Sequence, residues 1–364
     1  MEKTIRISNY QLFTILVCFM LGSSIIVNPA AAAKQDGWLA FLFGWSGGFV
    51  LMLLYTYIAL LNPGKNLIEI LRYNFGKVLG SIISIVYILY FIHLAALVLR
   101  NFGEFILTVS YPDTPMLFVI SGLMLVVCYA VKKNIEIIGR ISEIFNLLFV
   151  CVLLFVFFAL FSMYKFENFK PFFVQGILPI IKGALGTLTF PFGETVAFLM
   201  VFPYVKKQEN LKKSSLLGVA MVGFLLFTAI IRNQMVLGTA MLSRDVFPSH
   251  IAFRLIPGLD VDPLLDLNFT MGGIVKVSIC LLAATRGIVD LFNLNNYKIL
   301  VLPLAAFCVS LSILLYDNVN DMITWAGEIW PYYSIPFQII LPIIILTVSL
   351  IRKKEQKKEC EVIT

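Results

Sequence analysis

The chain has 364 residues, 60% of them hydrophobic and only 13% charged, a balance that excludes an ordinary soluble domain and indicates an integral membrane protein. Its formal net charge of +7 raises a nucleic-acid partner as a candidate, but the placement of the basic residues accounts for that charge without one. Five cysteines (Cys18, Cys128, Cys151, Cys280, Cys308) stand in apolar runs and Cys360 in the tail. No CxxC pair occurs, so neither a disulfide frame nor a metal site is indicated, and Cys360 is one place too early for a prenylation box.

The N-terminal MEKTIRISNYQLF leads into an apolar run longer than a signal-peptide core and without a small-x-small cleavage site, so it is expected to be retained as the first span. Ten runs of a length suited to about 30 Å of hydrocarbon occupy 10–33, 38–61, 81–107, 115–131, 141–163, 182–204, 215–238, 269–292, 298–315 and 333–351. They predict one all-α transmembrane domain over 1–364, with a first half at about 10–163, a second at about 182–351 and a basic tail over 352–364. An even number of crossings puts both termini on one side. Of the 28 lysines and arginines, 18 then fall on that side, five on the other and five within or at the ends of spans, a bias that predicts cytoplasmic termini.

Two connections are long. Residues 62–80, on the inside, carry the amphipathic NLIEILRYNFGKVLG. Residues 239–268, on the outside, are too apolar and proline-punctuated for a free linker, and are expected to fold as short helices over the outer mouth, with a lid as one reading.

The sixth run, Lys182–Tyr204, carries Thr189-Phe190-Pro191-Phe192-Gly193-Glu194 near the membrane midplane. Proline removes a backbone donor and clashes with the preceding turn, and glycine lowers the cost of leaving helical geometry, so two half-helices joined by an unwound strip are predicted. Unsatisfied backbone groups cost several kcal/mol in lipid, so the strip is expected to line an enclosed or water-filled cavity. The first run carries Gly22-Ser23-Ser24 at its centre, where glycine weakens the helix and serine can cap one restarted at Ile25. Interruptions five spans apart predict a five-plus-five inverted repeat with a binding site between them.

Ionisable residues inside spans complete the pattern. Arg100-x-x-x-Glu104 and Arg286-x-x-x-Asp290 lie in the third span of each half, each pair on one helix face. They read either as interfacial pairs that snorkel to water or as gate and interhelical contacts. His93, with Tyr87 and Tyr90 within two turns, either lines the pathway or packs as a hydrogen-bonded residue. Arg232, near the outer end of the seventh span, is expected at the interface.

The ten spans, the interruptions in the first and sixth, IS-x-x-Q-L-F at the opening, R-N-F-G-E-F at Arg100–Phe105, F-P-F-G-E in the sixth span and Lys276 in the eighth together resemble the B subunit of the spore germinant receptors, from Ile7 to Arg352. The resemblance implies the amino acid-polyamine-organocation superfamily and a LeuT-like fold. It also implies an inner-spore-membrane location and two partners, an A subunit with cytoplasmic and membrane parts and a lipid-anchored C subunit.

Half-helices beginning at Ile25 and near Glu194 would aim their N-termini at a carboxylate, and those ending near Leu21 and Thr189 would aim carbonyls at an ammonium, which together describe a zwitterion. An amino acid is also what the resemblance implies. Gly22, Ser23 and Ser24 are assigned to its carboxylate, and Thr187, Thr189, Phe190, Phe192 and Gly193 to carbonyls and wall, against the reading that small residues merely pack helices. Glu194 either caps its half-helix, or protonates or pairs with a cation. Lys276 is costly in lipid and should face the interior, in the region where the resemblance implies relatives hold sodium; there it would act as a fixed or titrating charge, unless it snorkels outward.

No phosphate loop, HExxH or GxSxG occurs and the chain has only two histidines, so neither an enzyme nor a cofactor is expected. The expected function is a membrane subunit that binds a small germinant and signals to partner subunits. A proton-coupled amino acid transporter and an ion or solute conduit are the alternatives.

Overall fold

The computed structural model describes the backbone of residues 5–24, 27–256, 258 and 261–363, and the side chains of these residues except 262 and 355–363. Among the described residues, helices make up all the regular structure apart from one isolated bridge, which pairs Ile7 with Val205 and ties the start of the first span to the end of the sixth. The first helix, α1 (Asn9–Ser24), opens with a reciprocal cap in which the Gln11 amide donates to Ser8 Oγ and the Ser8 amide to Gln11 Oε1, both at 3.0 Å. A 3₁₀ turn, Ala31–Asp36, leads into α2 (Gly37–Leu61). Next, α3 (Leu67–Val109) starts from an Asn66/Glu69 capping box and bends at Gly76, whose φ of +78° suits glycine and turns the amphipathic 67–75 segment away from the long span.

Then come α4 (Met116–Lys132), α5 (Ile135–Ala159) and the interrupted sixth segment, which begins as α6 (Ile177–Thr187). After it follow α7 (Leu211–Leu242), α8 (Pro248–Arg254), α9 (Asp262–Phe292) and α10 (Lys298–Leu314). The last stretch is α11 (Val319–Thr324), α12 (Trp330–Ile335) and α13 (Leu341–Ile363), joined by π turns at Trp325–Ile329 and Pro336–Ile340. Among the described residues, six helices are long and apolar enough to cross a bilayer: Ala31–Leu61, Leu67–Val109, Ile135–Ala159, Gln208–Leu242, Pro263–Phe292 and Val319–Lys354. Met116–Lys132 and Lys298–Leu314 are shorter and also apolar. The central post is α9, which packs on α1, α3, α4, α5 and α10.

The structure refines two local expectations and overturns a third. Gly22-Ser23-Ser24 remains helical, with the glycine at a helix crossing, but α1 ends at Ser24 and residues 27–30 are not helical, so the first run is interrupted just after the tripeptide rather than within it; a restart at Ile25 lies outside the described residues. The 239–268 connection holds one short helix among its described residues. This helix, α8, is flanked by Phe247 and packs against α3, with Phe247 and His250 edge-on to Phe105 at 5.2 and 6.2 Å. Arg232 is not interfacial: it is 1% exposed, donates to Asn233 Oδ1 at 2.8 Å and lies over the Phe253 ring of α8, which shields it from water.

Candidate functional site

The sixth segment breaks where proline and glycine predict. After α6 the chain makes a π turn, Leu188–Phe192, in which Phe190 leaves helical geometry (φ −139°, ψ 113°), and it continues as a 3₁₀ helix, Gly193–Met200. The backbone groups freed there find partners that the sequence did not single out. Gln338 Nε2 donates to Thr189 O at 3.0 Å and to the Tyr90 hydroxyl at 2.9 Å. The Tyr55 hydroxyl reaches Gly193 O at 3.2 Å and Gln338 O at 2.6 Å. A Cβ at Gly193 would come within 2.0 Å of Gln338 Oε1, so the glycine makes room for the glutamine as much as it bends the chain. A glutamine in the middle of the apolar 333–351 run was the available signal, since a polar side chain at that depth needs a partner. Tyr55→Phe would leave buried carbonyls short of a donor, and is expected to destabilise the protein by about 1–3 kcal/mol. A drop in the thermal-unfolding midpoint of the detergent-purified protein is the check.

Three distant segments meet at a buried polar cluster. Lys276 of α9 donates to Glu194 Oε2 at 2.5 Å and to Ser23 Oγ of α1 at 2.9 Å, with the Lys276 and Glu194 side chains 0% and 3% exposed. The ammonium also lies 4.8 Å from the centre of the Phe190 ring and 5.5 Å from that of Phe19, so aromatic faces supply part of its lost solvation. A glycine crossing makes this possible: a Cβ on Gly272 would fall 2.6 Å from the Gly22 Cα. Lys276, one turn beyond Gly272, is thereby brought against α1. It faces inward and does not snorkel. Glu194 caps nothing; it is the counter-ion of Lys276. Ser24 and Thr189 turn their hydroxyls back to Met20 O and Leu185 O of their own helices, at 2.8 and 2.9 Å.

Beside the cluster lies a narrow cavity of about 40 Å³, room for a few water molecules. Ser23, Phe190 and Glu194 line it, opposite Leu94, Leu97 and Asn101 of α3 and beneath a cover that includes Tyr316, Trp325 and Trp330. Phe192 and Thr187 are not among its walls. Phe192 lies against Gly48 and has its ring centre 6.2 Å from that of Phe41, and Thr187 abuts Gly44.

The charged residues expected at mouths fall in two places. Arg100 and Glu104 form a buried pair at 2.7 Å, and Arg100 also donates to Ser312 O and Ile313 O at 3.2 and 2.8 Å, satisfying carbonyls at the end of α10. This is an interhelical tie and not an interfacial pair. Arg286 and Asp290 are not ion-paired with each other among the described residues. Asp290 accepts from Asn66 Nδ2 at 2.8 Å, and Arg286 stacks on Tyr297 at 3.9 Å. His93 Nδ1 lies 3.2 Å from the Tyr333 hydroxyl, while Tyr87 donates to Phe337 O at 2.9 Å, so this face of α3 is fastened to the last span rather than open to the cavity.

The comparisons with known proteins agree with this architecture. The family described as "Spore germination protein" matches residues 6–322. Spore germination protein KB of Bacillus subtilis (strain 168) is 34% identical over 98% of both chains. Spore germination proteins YndE and B2 of the same organism are 25% and 22% identical, covering 98% and 96% of this chain and 99% and 96% of theirs. Among solved structures, the chain is similar to Mhp1, a nucleobase-cation-symport-1 family transporter in a closed conformation with bromovinylhydantoin bound, with a TM-score of 0.60 at 13% identity over 94% of this chain and 78% of the transporter. That likeness shows that the chain shares the fold of this transporter. A family match of this extent and a relative at 34% identity place the chain in the spore germination permease family, the B-type subunits of germinant receptors, as a membrane receptor or transporter rather than an enzyme.

Proposed function

We propose that this chain is the membrane subunit of a spore germinant receptor, that it binds a small germinant, an amino acid, between the first and sixth spans, and that it signals to partner subunits. It does so as a ten-crossing, five-plus-five inverted repeat in the inner spore membrane, with both termini cytoplasmic and with an A subunit and a lipoprotein C subunit beside it. The observation that supports the reading is the meeting of Ser23, Lys276 and Glu194 at the broken sixth segment, beside a cavity inside the bilayer-spanning core. Buried ionisable residues at such a depth are costly and mark functional positions. The cavity holds only a few water molecules, so any but the smallest amino acid needs its walls to move on entry; the ligand then favours the wider conformation by its differential affinity.

The test is germination of spores that carry the chain as their receptor subunit, against a panel of amino acids, sugars and nucleosides. Ser23→Ala and Phe190→Ala, at normal protein level, are expected to raise the half-maximal germinant concentration severalfold, the effect of losing about 1 kcal/mol of ligand contact. An unchanged dose-response in both variants overturns the site. The transporter-like fold favours a second reading, proton-coupled amino acid transport, with the Lys276–Glu194 pair as the coupling element. Uptake of labelled amino acid into proteoliposomes of the purified chain would establish it; binding without uptake favours the receptor.

A further inference from the structure

Trp325 and Trp330 each carry a buried indole N–H with no acceptor among the described residues. Buried tryptophan N–H groups ordinarily find a partner, and an unmatched donor is costly. Both residues belong to the wall of the cavity that Ser23 and Glu194 also line, with their N–H groups covered in this closed form. They are firmly seated: Trp330 is 5% exposed and stacks on Tyr90 at 6.0 Å, and Trp325 stands edge-on to His93 at 6.0 Å. Trp325 opens the π turn Trp325–Ile329, and such widened turns recur at functional sites.

We propose that Trp325 and Trp330 are the specificity-determining donors of the germinant site, their indole N–H groups holding the carboxylate of an amino acid whose ammonium is directed to Glu194. The proposal rests on the germinant-receptor reading and adds to it which residues select the ligand class. A carboxylate is acceptor-only and can take several donors at once. Neutral indoles supply these without placing a second cation beside Lys276. Glu194 engages Lys276 through Oε2, leaving Oε1 for an ammonium, and Leu94, Leu97 and Val98 form an aliphatic wall for the side chain. Carboxylate recognition thereby moves away from Gly22, Ser23 and Ser24, which form the C-terminal turn of α1, where free carbonyls disfavour an anion.

Spores with Trp325→Phe or Trp330→Phe, which keep an aromatic ring and lose the N–H, are germinated with a panel of the standard amino acids. The most potent is then compared with its amino alcohol, which lacks the carboxylate. The half-maximal concentration of the amino acid is expected to rise about tenfold, the factor for losing a hydrogen bond to a charged acceptor, while the amino alcohol response stays as in wild type. The preference for the acid therefore collapses, which a merely structural role would not produce. Ser23→Ala and Phe190→Ala run alongside. If they shift the response while both tryptophan variants keep the wild-type preference, the indole proposal is overturned and the site stands. If none of the four shifts it, or no amino acid acts, the amino acid site itself fails and the proposal with it. Where phenylalanine lowers protein level, β-(3-benzothienyl)alanine at the same position, sulfur replacing N–H in a ring of equal size, gives the same comparison.

Discussion

Replacing Lys276 with methionine is expected to destabilise the protein by about 3–5 kcal/mol, because it removes the counter-ion of a buried carboxylate. Glu194 is 2% exposed, and its hydrogen bond is to the Lys276 ammonium. Glu194→Gln is expected to do harm from the other side, leaving a buried cation without a counter-charge, with only neutral acceptors (an amide oxygen and Ser23 Oγ) and two aromatic faces. Lys276→Met combined with Glu194→Gln removes both charges at once, and a buried ion pair exchanged for neutral groups of similar volume is often close to neutral in stability. The double variant should therefore recover most of what either single one loses, a strong coupling in a double-mutant cycle. Thermal unfolding of the four purified proteins in one detergent is the measurement. Additive losses would mean that the two groups do not depend on each other. The double variant is also expected to be folded yet unresponsive to germinant, which separates the role of the pair in the site from its role in holding the fold.

The interruption of the sixth span was legible because its causes are local: Pro191 lacks an N–H wherever it sits, and Gly193 follows two residues later. The one expected at Gly22-Ser23-Ser24 falls at the end of that tripeptide, where α1 stops, while Gly22 itself stays helical. A glycine in a membrane helix weakens it, but it also lets another helix approach, and nothing local to Gly22 reveals that Gly272 is opposite. Lys276 was legible as a costly residue that must face inward, and it does; Glu194 was legible as a cap or as the partner of a cation, and it is the latter. Their pairing spans 82 positions, and no periodicity carries it. Arg100 and Glu104 were legible as a pair but not as buried, because the span-end position that suggested water is closed by the end of α10. Tyr55 and Gln338, which satisfy the broken backbone, stood in the sequence as ordinary span residues until the sixth segment showed what its carbonyls needed.

Gly272→Val is expected to separate α1 from α9 and to abolish germinant response, with a loss of stability at or above the upper end of the roughly 1–3 kcal/mol typical of overpacking. The clash would be with main chain, since a Cβ at 272 would lie 2.6 Å from the Gly22 Cα and 3.2 Å from its nitrogen, with the Phe149 ring at 3.0 Å on another side. A flexible side-chain tip could swing away; a helix backbone can only move as a unit. That displacement carries Ser23 with it and breaks the 2.9 Å contact to Lys276, so stability and function fall together. Gly22→Ala is expected to be milder, because its Cβ would meet Gly272 O at 3.0 Å rather than overlap it outright. Gly122→Ala in α4 is the control: nothing lies within 4 Å of its Cβ position, and alanine is the better helix former by about 1 kcal/mol, so it should match or exceed wild-type stability. The expected order of unfolding midpoints is Gly122→Ala, then Gly22→Ala, then Gly272→Val. A Gly272→Val protein with wild-type midpoint and dose-response would show that the two helices do not need this closeness, and that Lys276 reaches its partners by some route other than the crossing.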